Sequence, residues 1–169
     1  MKKVMVVGCP GSGKSTFSRL LHQVTGLPLY HLDLLNWNAD RTTVPKEVFL
    51  ERLREVVQKE AWIIDGNYGS TMELRLQACD TVFFLDYPLE TCLEGIRTRR
   101  GKPRSDLPWV EPENEPDEEL LQFVRAYPAE GRAAVLALLR QYPHKKVVVF
   151  RSREEAALYL QTLKSSAAF

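Results

Sequence analysis

Gly8-Cys9-Pro10-Gly11-Ser12-Gly13-Lys14-Ser15-Thr16 fills every fixed position of the phosphate-binding pattern G-x-x-x-x-G-K-[ST]. The flanks supply the context that the pattern requires. Lys3 to Val7 is a short, β-branched apolar run that reads as a buried strand. Phe17, Leu20, Leu21 and Val24 follow at helical spacing, with Gly26 where a helix would stop. In such a strand, loop, helix unit the glycines allow backbone angles closed to other residues, so successive N–H groups can face a polyphosphate, and the helix dipole favours the same anion. Lys14 is placed to reach the β- and γ-phosphates, and Ser15 to offer its hydroxyl to a Mg²⁺ bridging them. The expected nucleotide contacts are Gly8, Pro10, Gly11, Ser12, Gly13, Lys14, Ser15 and Thr16. Cys9 reads as a small filler, at a helix N-terminus where a thiol can have a lowered pKa.

A chain of 169 residues suits one domain, residues 1–169, with a full core. Its net charge of +1 provides no global field for nucleic acid or an anionic membrane. No apolar run reaches membrane-spanning length, and the N-terminus enters a strand without a signal-type segment, so a cytoplasmic protein is expected. Cys9, Cys79 and Cys92 are far apart, and His22, His31 and His144 stand alone, which predicts neither a disulfide nor a structural zinc.

Beyond the first helix, Leu27 to Leu32 reads as a second strand that brings Asp33 to the carboxyl edge of the sheet, where ligands of open α/β sheets bind. Residues 34–44 look irregular, and Pro45 opens a helix carrying Phe49, Leu53, Val56 and Val57 on one face. Ala61 to Ile64 is a third strand, ended by Asp65-Gly66-Asn67-Tyr68-Gly69; a carboxylate there suits a Mg²⁺ contact. A short helix near 70–76 precedes a fourth strand, Thr81 to Asp86, and Pro88 starts the next helix. Asp86 rivals Asp65 for the metal, but an Asp shortly before a helix-opening Pro also fits helix-start chemistry.

Arg97, Arg99, Arg100, Lys102 and Arg104 fall within eight residues, interrupted by Gly101 and Pro103. Arg97 and Arg100, three apart on one helical face, read as a phosphate clamp, and Arg99 and Lys102 as solvated. The acidic stretch from Asp106 to Glu119 either pairs with that clamp or is a solvated loop. Two helical segments separated by Pro128 lead to a fifth strand, Lys146 to Phe150. Ser152-Arg153-Glu154-Glu155 fits a capping box for a last helix over 153–163. Unbroken alternation of strands and helices predicts one parallel sheet covered on both faces.

The phosphate loop, Asp33, Asp65-Gly66 and the Arg-rich segment together resemble the adenylate-kinase-like branch of P-loop kinases. More narrowly, His31-Leu32-Asp33, Trp62 to Tyr68 and Asp80 to Asp86 look like the bacterial proteins called DNA topology modulation proteins or adenylate kinase-related proteins. This resemblance implies a three-layer fold with strand order 2-3-1-4-5, and a short lid at about 98–116 with Arg97, Arg100 and Arg104 closing over the nucleotide. The chain departs from nucleoside-monophosphate kinases after Asp65-Gly66, where Asn67-Tyr68-Gly69 replaces the segment carrying an acceptor-holding Arg. Arg75 is a candidate replacement, and an ion-pair role is the alternative.

The expected function is a Mg²⁺-dependent phosphotransferase using ATP or GTP. Lys14, Arg97 and Arg100 would act on the phosphates, Ser15 and Asp65 on Mg²⁺, and Asp33, Asn67 and Arg75 on a small acceptor. Asp33 would orient or deprotonate its hydroxyl, unless it is a turn residue; Arg151 would lie near the base. The partners expected are a nucleoside triphosphate and a small molecule, for a monomer or homodimer, with no membrane. Nucleic acid is disfavoured because no helix-turn-helix, OB or RRM signature accompanies the short basic run. The competing readings are a nucleotide-dependent DNA-topology protein and a slow NTPase switch.

Overall fold

The computed structural model describes residues 1–167. Five parallel strands form one sheet in the order β2-β3-β1-β4-β5, as the family resemblance implied. They are β1 (Lys3–Gly8), β2 (Leu29–His31), β3 (Trp62–Asp65), β4 (Thr81–Leu85) and β5 (Lys146–Phe150). The helices are α1 (Lys14–Thr25), α2 (Leu32–Asn36), α3 (Lys46–Gln58), α4 (Gly69–Ala78), α5 (Leu89–Arg99), α6 (Glu118–Ala126), α7 (Gly131–Gln141) and α8 (Arg153–Ala167).

The period-two alternation of the strands divides the core between the two faces of the sheet. Val4, Val6, Phe83 and Leu85 pack with Phe17 and Leu21 of α1 and Leu160 of α8. Met5, Val7, Val82 and Phe84 pack with Leu53 of α3, Leu76 of α4 and Val135 of α7. Strands β1, β3 and β4 are buried along nearly their whole length, which is why they read as apolar runs without alternation. Edge strand β5 is half-exposed. Phe83 stacks on Phe150 at 5.9 Å and meets Phe17 edge-on at 5.1 Å, tying β4, β5 and α1 together.

Register brings the site residues to one edge. Val6 stands opposite Asp65, and Asp65 opposite His31, so the ends of β1, β2 and β3 lie side by side. The second strand is shorter than its apolar run suggests. Fully buried Leu32 opens α2, and Asp33 occupies that helix's first turn, where a carboxylate suits the N-terminal dipole. The irregular segment expected over 34–44 therefore begins with helix and then closes on itself through a Trp37–Thr43 bridge.

At the start of α8, Ser152 Oγ accepts from the Glu155 amide at 3.2 Å, as a capping box requires. Glu155 Oε2, however, accepts from the Arg151 amide at 2.7 Å, one residue earlier than the box predicts. The segment between α5 and α6 carries neither helix nor strand.

Candidate active site

The phosphate loop turns through Gly11 (φ 83) and Gly13 (φ 92), both left-handed, and is closed by a 3.0 Å bond from the Ser12 amide to the Cys9 carbonyl. The first turn of α1 then leaves the amides of Lys14, Ser15 and Thr16 without intrahelical acceptors, as any helix start does. Lys14 Nζ folds back onto the loop, donating to the carbonyls of Gly8 (2.8 Å) and Cys9 (3.1 Å). Burial lowers its pKa, and nearby Asp65 opposes that shift. Cys9 is 3 % exposed; its contact with the Cys92 thiol, and burial, push its pKa up, so it is not the reactive thiol that its helix-start position allows.

A cavity of about 670 Å³ opens over this loop, within the range typical of small-molecule sites. Of the expected residues it gathers Pro10 to Thr16, Asp33, Asp65 and Asn67. Asp65 is buried, and its Oδ2 is hydrogen-bonded to His31 Nδ1 at 2.7 Å. Asn67 Oδ1 accepts from the Gly8 amide at 3.3 Å, linking the ends of β3 and β1. Burial raises the pKa of Asp33, and the Tyr68 hydroxyl, donating to Asp33 Oδ1 at 2.7 Å, pulls it back. Tyr68 itself has φ 32, a strained value for a non-glycine residue, and is held there by Phe49 against its ring and by Asn36 Nδ2 on its hydroxyl.

Five expected residues do not line it: Gly8, whose carbonyl accepts from Lys14 at the foot of the loop, and four arginines. Arg75 is fully buried and donates to the carbonyls of Gly66 (2.9 Å), Asn67 (2.5 Å) and Tyr68 (3.3 Å). It braces the loop after β3 from behind and does not line the cavity; burial lowers its pKa to about 10. Arg97 is exposed, and neither it nor Arg100 lines the cavity, whereas Arg99 and Arg104 do. The reason is the facing of α5: Gly95 lies on the phosphate loop, and Arg99, four residues on, shares that face. Arg151 projects to solvent and pairs with Asp86 beside a second cavity, while Arg153 lines the main one. Arg132 also binds Asp86 through both carboxylate oxygens, so the rival metal carboxylate is engaged away from Lys14.

Sequence reading missed Asp106. It is 3 % exposed, accepts from Ser15 Oγ at 2.6 Å, and receives both Arg104 Nε (3.0 Å) and Nη2 (2.6 Å). Burial works against its charged form, but the bonds from Arg104 and Ser15 prevail and hold its carboxyl far below the usual carboxylate range. Glu111 completes the network, binding Arg99 at 2.8 Å and Arg104 at 3.1 Å. The acidic stretch thus pairs with the basic run, through Arg99 and Arg104 and not through Arg97 and Arg100. Trp109, further along the same segment, meets Trp37 edge-to-face at 5.9 Å. The sequence signal for Asp106 and Glu111 was an acidic stretch following the basic run, which did not single out either residue.

Fold and loop together define a class, the three-layer α/β fold with an N-terminal phosphate loop and strand order 2-3-1-4-5. Among solved structures, the shikimate kinase of Bacteroides thetaiotaomicron superposes with a TM-score of 0.59 at 18 % identity, over 98 % of each chain. The shikimate kinase of Aquifex aeolicus vf5 does so with a TM-score of 0.55 at 19 % identity, again over 98 % of each chain. At this identity the likeness is one of fold. The chain matches no protein-family model and no curated protein sequence, so the narrower likeness to DNA topology modulation proteins rests on the residues quoted for it.

Proposed function

We propose that the chain is a Mg²⁺-dependent phosphotransferase that moves the γ-phosphoryl group of ATP or GTP to a hydroxyl of a small acceptor. The observation that carries this reading is that one cavity holds the phosphate loop with Lys14 and, across from it, the half-buried carboxylate of Asp33 fixed by Tyr68. The triphosphate would lie on the loop amides, with Lys14 turning from the Gly8 and Cys9 carbonyls to the phosphates. Arg99 and Arg104 would close on them in exchange for Glu111 and Asp106. The base would occupy the apolar end of the cavity formed by Leu120 and Phe123 of α6 and by Ala156 and Ala157 of α8.

Among the described residues no cluster of three metal-ligating side chains occurs. That suits Mg²⁺, which is usually held by one or two carboxylates together with substrate phosphates and water. Ser15, Asp65 and Asp106 are hard oxygen donors in this cavity and would hold it. When bound, it would neutralise charge on the phosphate oxygens. Asp33 would accept the proton of the attacking hydroxyl.

The test is transfer of label from γ-labelled ATP in the presence of Mg²⁺, with Lys14→Ala as control. Label passing to an acceptor in the wild type and not in the variant supports the reading; equal transfer by both would overturn it. A duplex-binding role has less behind it, since the basic run is short, an acidic stretch follows it and the net charge is only +1.

A further inference from the structure

A second cavity, of about 440 Å³, plays no part in the proposed transfer. Cys9 of the phosphate loop and Cys92 of α5 both line it, and both are buried, at 3 % and 0 % exposed. The helix brings them together by lying on the loop: a Cβ on Gly11 would stand 2.1 Å from the Cys92 carbonyl oxygen. The Cys9 thiol donates to the Cys92 sulfur. That bond lowers the pKa of Cys92, and Lys14 nearby acts in the same direction, while burial opposes both. Cys92 is therefore the thiol that ionises first, and Cys9, held protonated, is its partner. Cys79 is placed differently, on the opposite face of the sheet, where its thiol donates to the Leu76 carbonyl at 3.3 Å.

The pair is screened from bulk solvent and open to a small solute. Arg132 and Arg151, whose side chains are 37 % and 61 % exposed, line the same cavity and pair with Asp86, so the cavity meets solvent at that end. Its volume is many times the roughly 30 Å³ that a water molecule takes up in the liquid. Joining the two sulfurs acts directly on the loop. The Cys9 carbonyl accepts from the Ser12 amide at 3.0 Å and from Lys14 Nζ at 3.1 Å, so a pull on Cys9 reaches both the turn and the lysine. A disulfide holds its sulfurs about 2.05 Å apart, nearer than unbonded thiols approach. Because the backbones of Gly11 and α5 already touch, the helix cannot follow inward and the loop has to twist.

We propose that Cys9 and Cys92 are a redox-sensitive pair, oxidised by a peroxide to a disulfide that ties the phosphate loop to α5 and weakens nucleotide binding; the effect on binding rests on the reading of the loop as a nucleotide site. The Cys92 thiolate attacks one peroxide oxygen, the O–O bond breaks, and the leaving hydroxide takes up a proton to become water. Cys92 is then a sulfenic acid. Cys9 loses its proton and attacks the Cys92 sulfur, the S–O bond breaks, and the hydroxide departs with that proton as a second water. Two thiols are oxidised by two electrons, and the peroxide is reduced to water. A small dithiol reverses the step by exchange.

The experiment treats the full chain with hydrogen peroxide, blocks the remaining thiols with iodoacetamide, and maps unreduced peptides by mass spectrometry. Isothermal titration with MgATP is run on the reduced, the oxidised and the dithiothreitol-treated protein. A Cys9–Cys92 linked peptide is expected, with Cys79 alkylated, together with MgATP affinity at least tenfold lower after oxidation and restored by dithiothreitol. Cys92→Ser should keep its affinity through peroxide treatment, and Cys79→Ser should respond as the wild type does. Absence of the linked peptide in the wild type, an affinity unchanged by the link, or an equal loss in Cys92→Ser overturns the switch and leaves the kinase reading standing. Reduced protein that binds no MgATP overturns the reading of the loop and the switch with it.

Discussion

Gly95 of α5 lies so close to Gly11 of the phosphate loop that a Cβ on Gly95 would stand 1.9 Å from the Gly11 carbonyl oxygen. The contact is between two backbones, so neither side can yield by rotating a side chain. Gly95→Ala gains about 1 kcal/mol of helix propensity and meets this clash, whose relief by shifting the loop costs roughly 1–3 kcal/mol. The expected result is a protein no more stable than wild type to urea, with MgATP affinity at least tenfold lower because the loop has moved. An unchanged affinity by calorimetry would show that α5 does not set the loop's shape.

Arg99 and Arg97 make a paired test of which cations serve the site. Replacing Arg99 removes a charge-assisted contact of about 1.5–3 kcal/mol, so Arg99→Ala should raise the ATP KM tenfold or more. Arg97→Ala should leave it within twofold, because Arg97 lies outside the cavity lining. Equal effects in steady-state kinetics would restore the clamp that helical spacing alone suggested.

These two cases show what was legible in the sequence. The loop and the Asp33 and Asp65 positions could be read because apolar runs end in polar residues at the same edge, whereas the strand order came from the family resemblance. The facing of α5 could not, since Gly95 fixes it through a backbone contact, whereas the spacing of Arg97 and Arg100 said only that they share a face. Asp106 was hidden for a related reason. Seven acidic residues follow the basic run, and only the folded lid distinguishes the one that reaches Ser15. Arg75 illustrates the opposite error, a cation in a suitable place whose side chain turns to the backbone.

Asp106 links this lid to stability. Its folded-state pKa lies below that of the unfolded chain, so its contribution is full above the unfolded carboxylate value and is lost as pH falls through the depressed one. Asp106→Asn should cost about 1–3 kcal/mol near neutrality. The gap between variant and wild type in urea unfolding should narrow steadily as the medium is acidified below the ordinary carboxylate range. A gap independent of pH would mean that the carboxylate charge is not what holds the lid.

Tyr68→Phe deletes the hydroxyl that stabilises ionised Asp33. Burial then acts on that carboxyl with one opposing contact fewer and raises its pKa further, so the acid limb of the kcat/KM profile should move to higher pH. The rate at its plateau should fall about tenfold for the loss of one hydrogen bond to a charged group. A profile unmoved by the substitution would exclude Asp33 as the group that must be deprotonated.

Arg75→Ala leaves three loop carbonyls without their donor. At about 1–3 kcal/mol for each buried group left unsatisfied, and roughly 2–4 °C of melting temperature per kcal/mol for a chain of this size, Tm should drop by at least about 6 °C. Free guanidinium should not rescue turnover by acting on the acceptor. A stable variant with only a raised acceptor KM would return Arg75 to the acceptor site.

The central claim is that the loop at residues 8–16 cradles a nucleoside triphosphate, and isothermal titration of the intact protein with MgATP and MgGTP measures it directly. The account predicts one site per chain with a dissociation constant on the order of 1 mM or tighter, weakened at least tenfold in Lys14→Ala. No heat from either nucleotide, or equal binding by the variant, would contradict it.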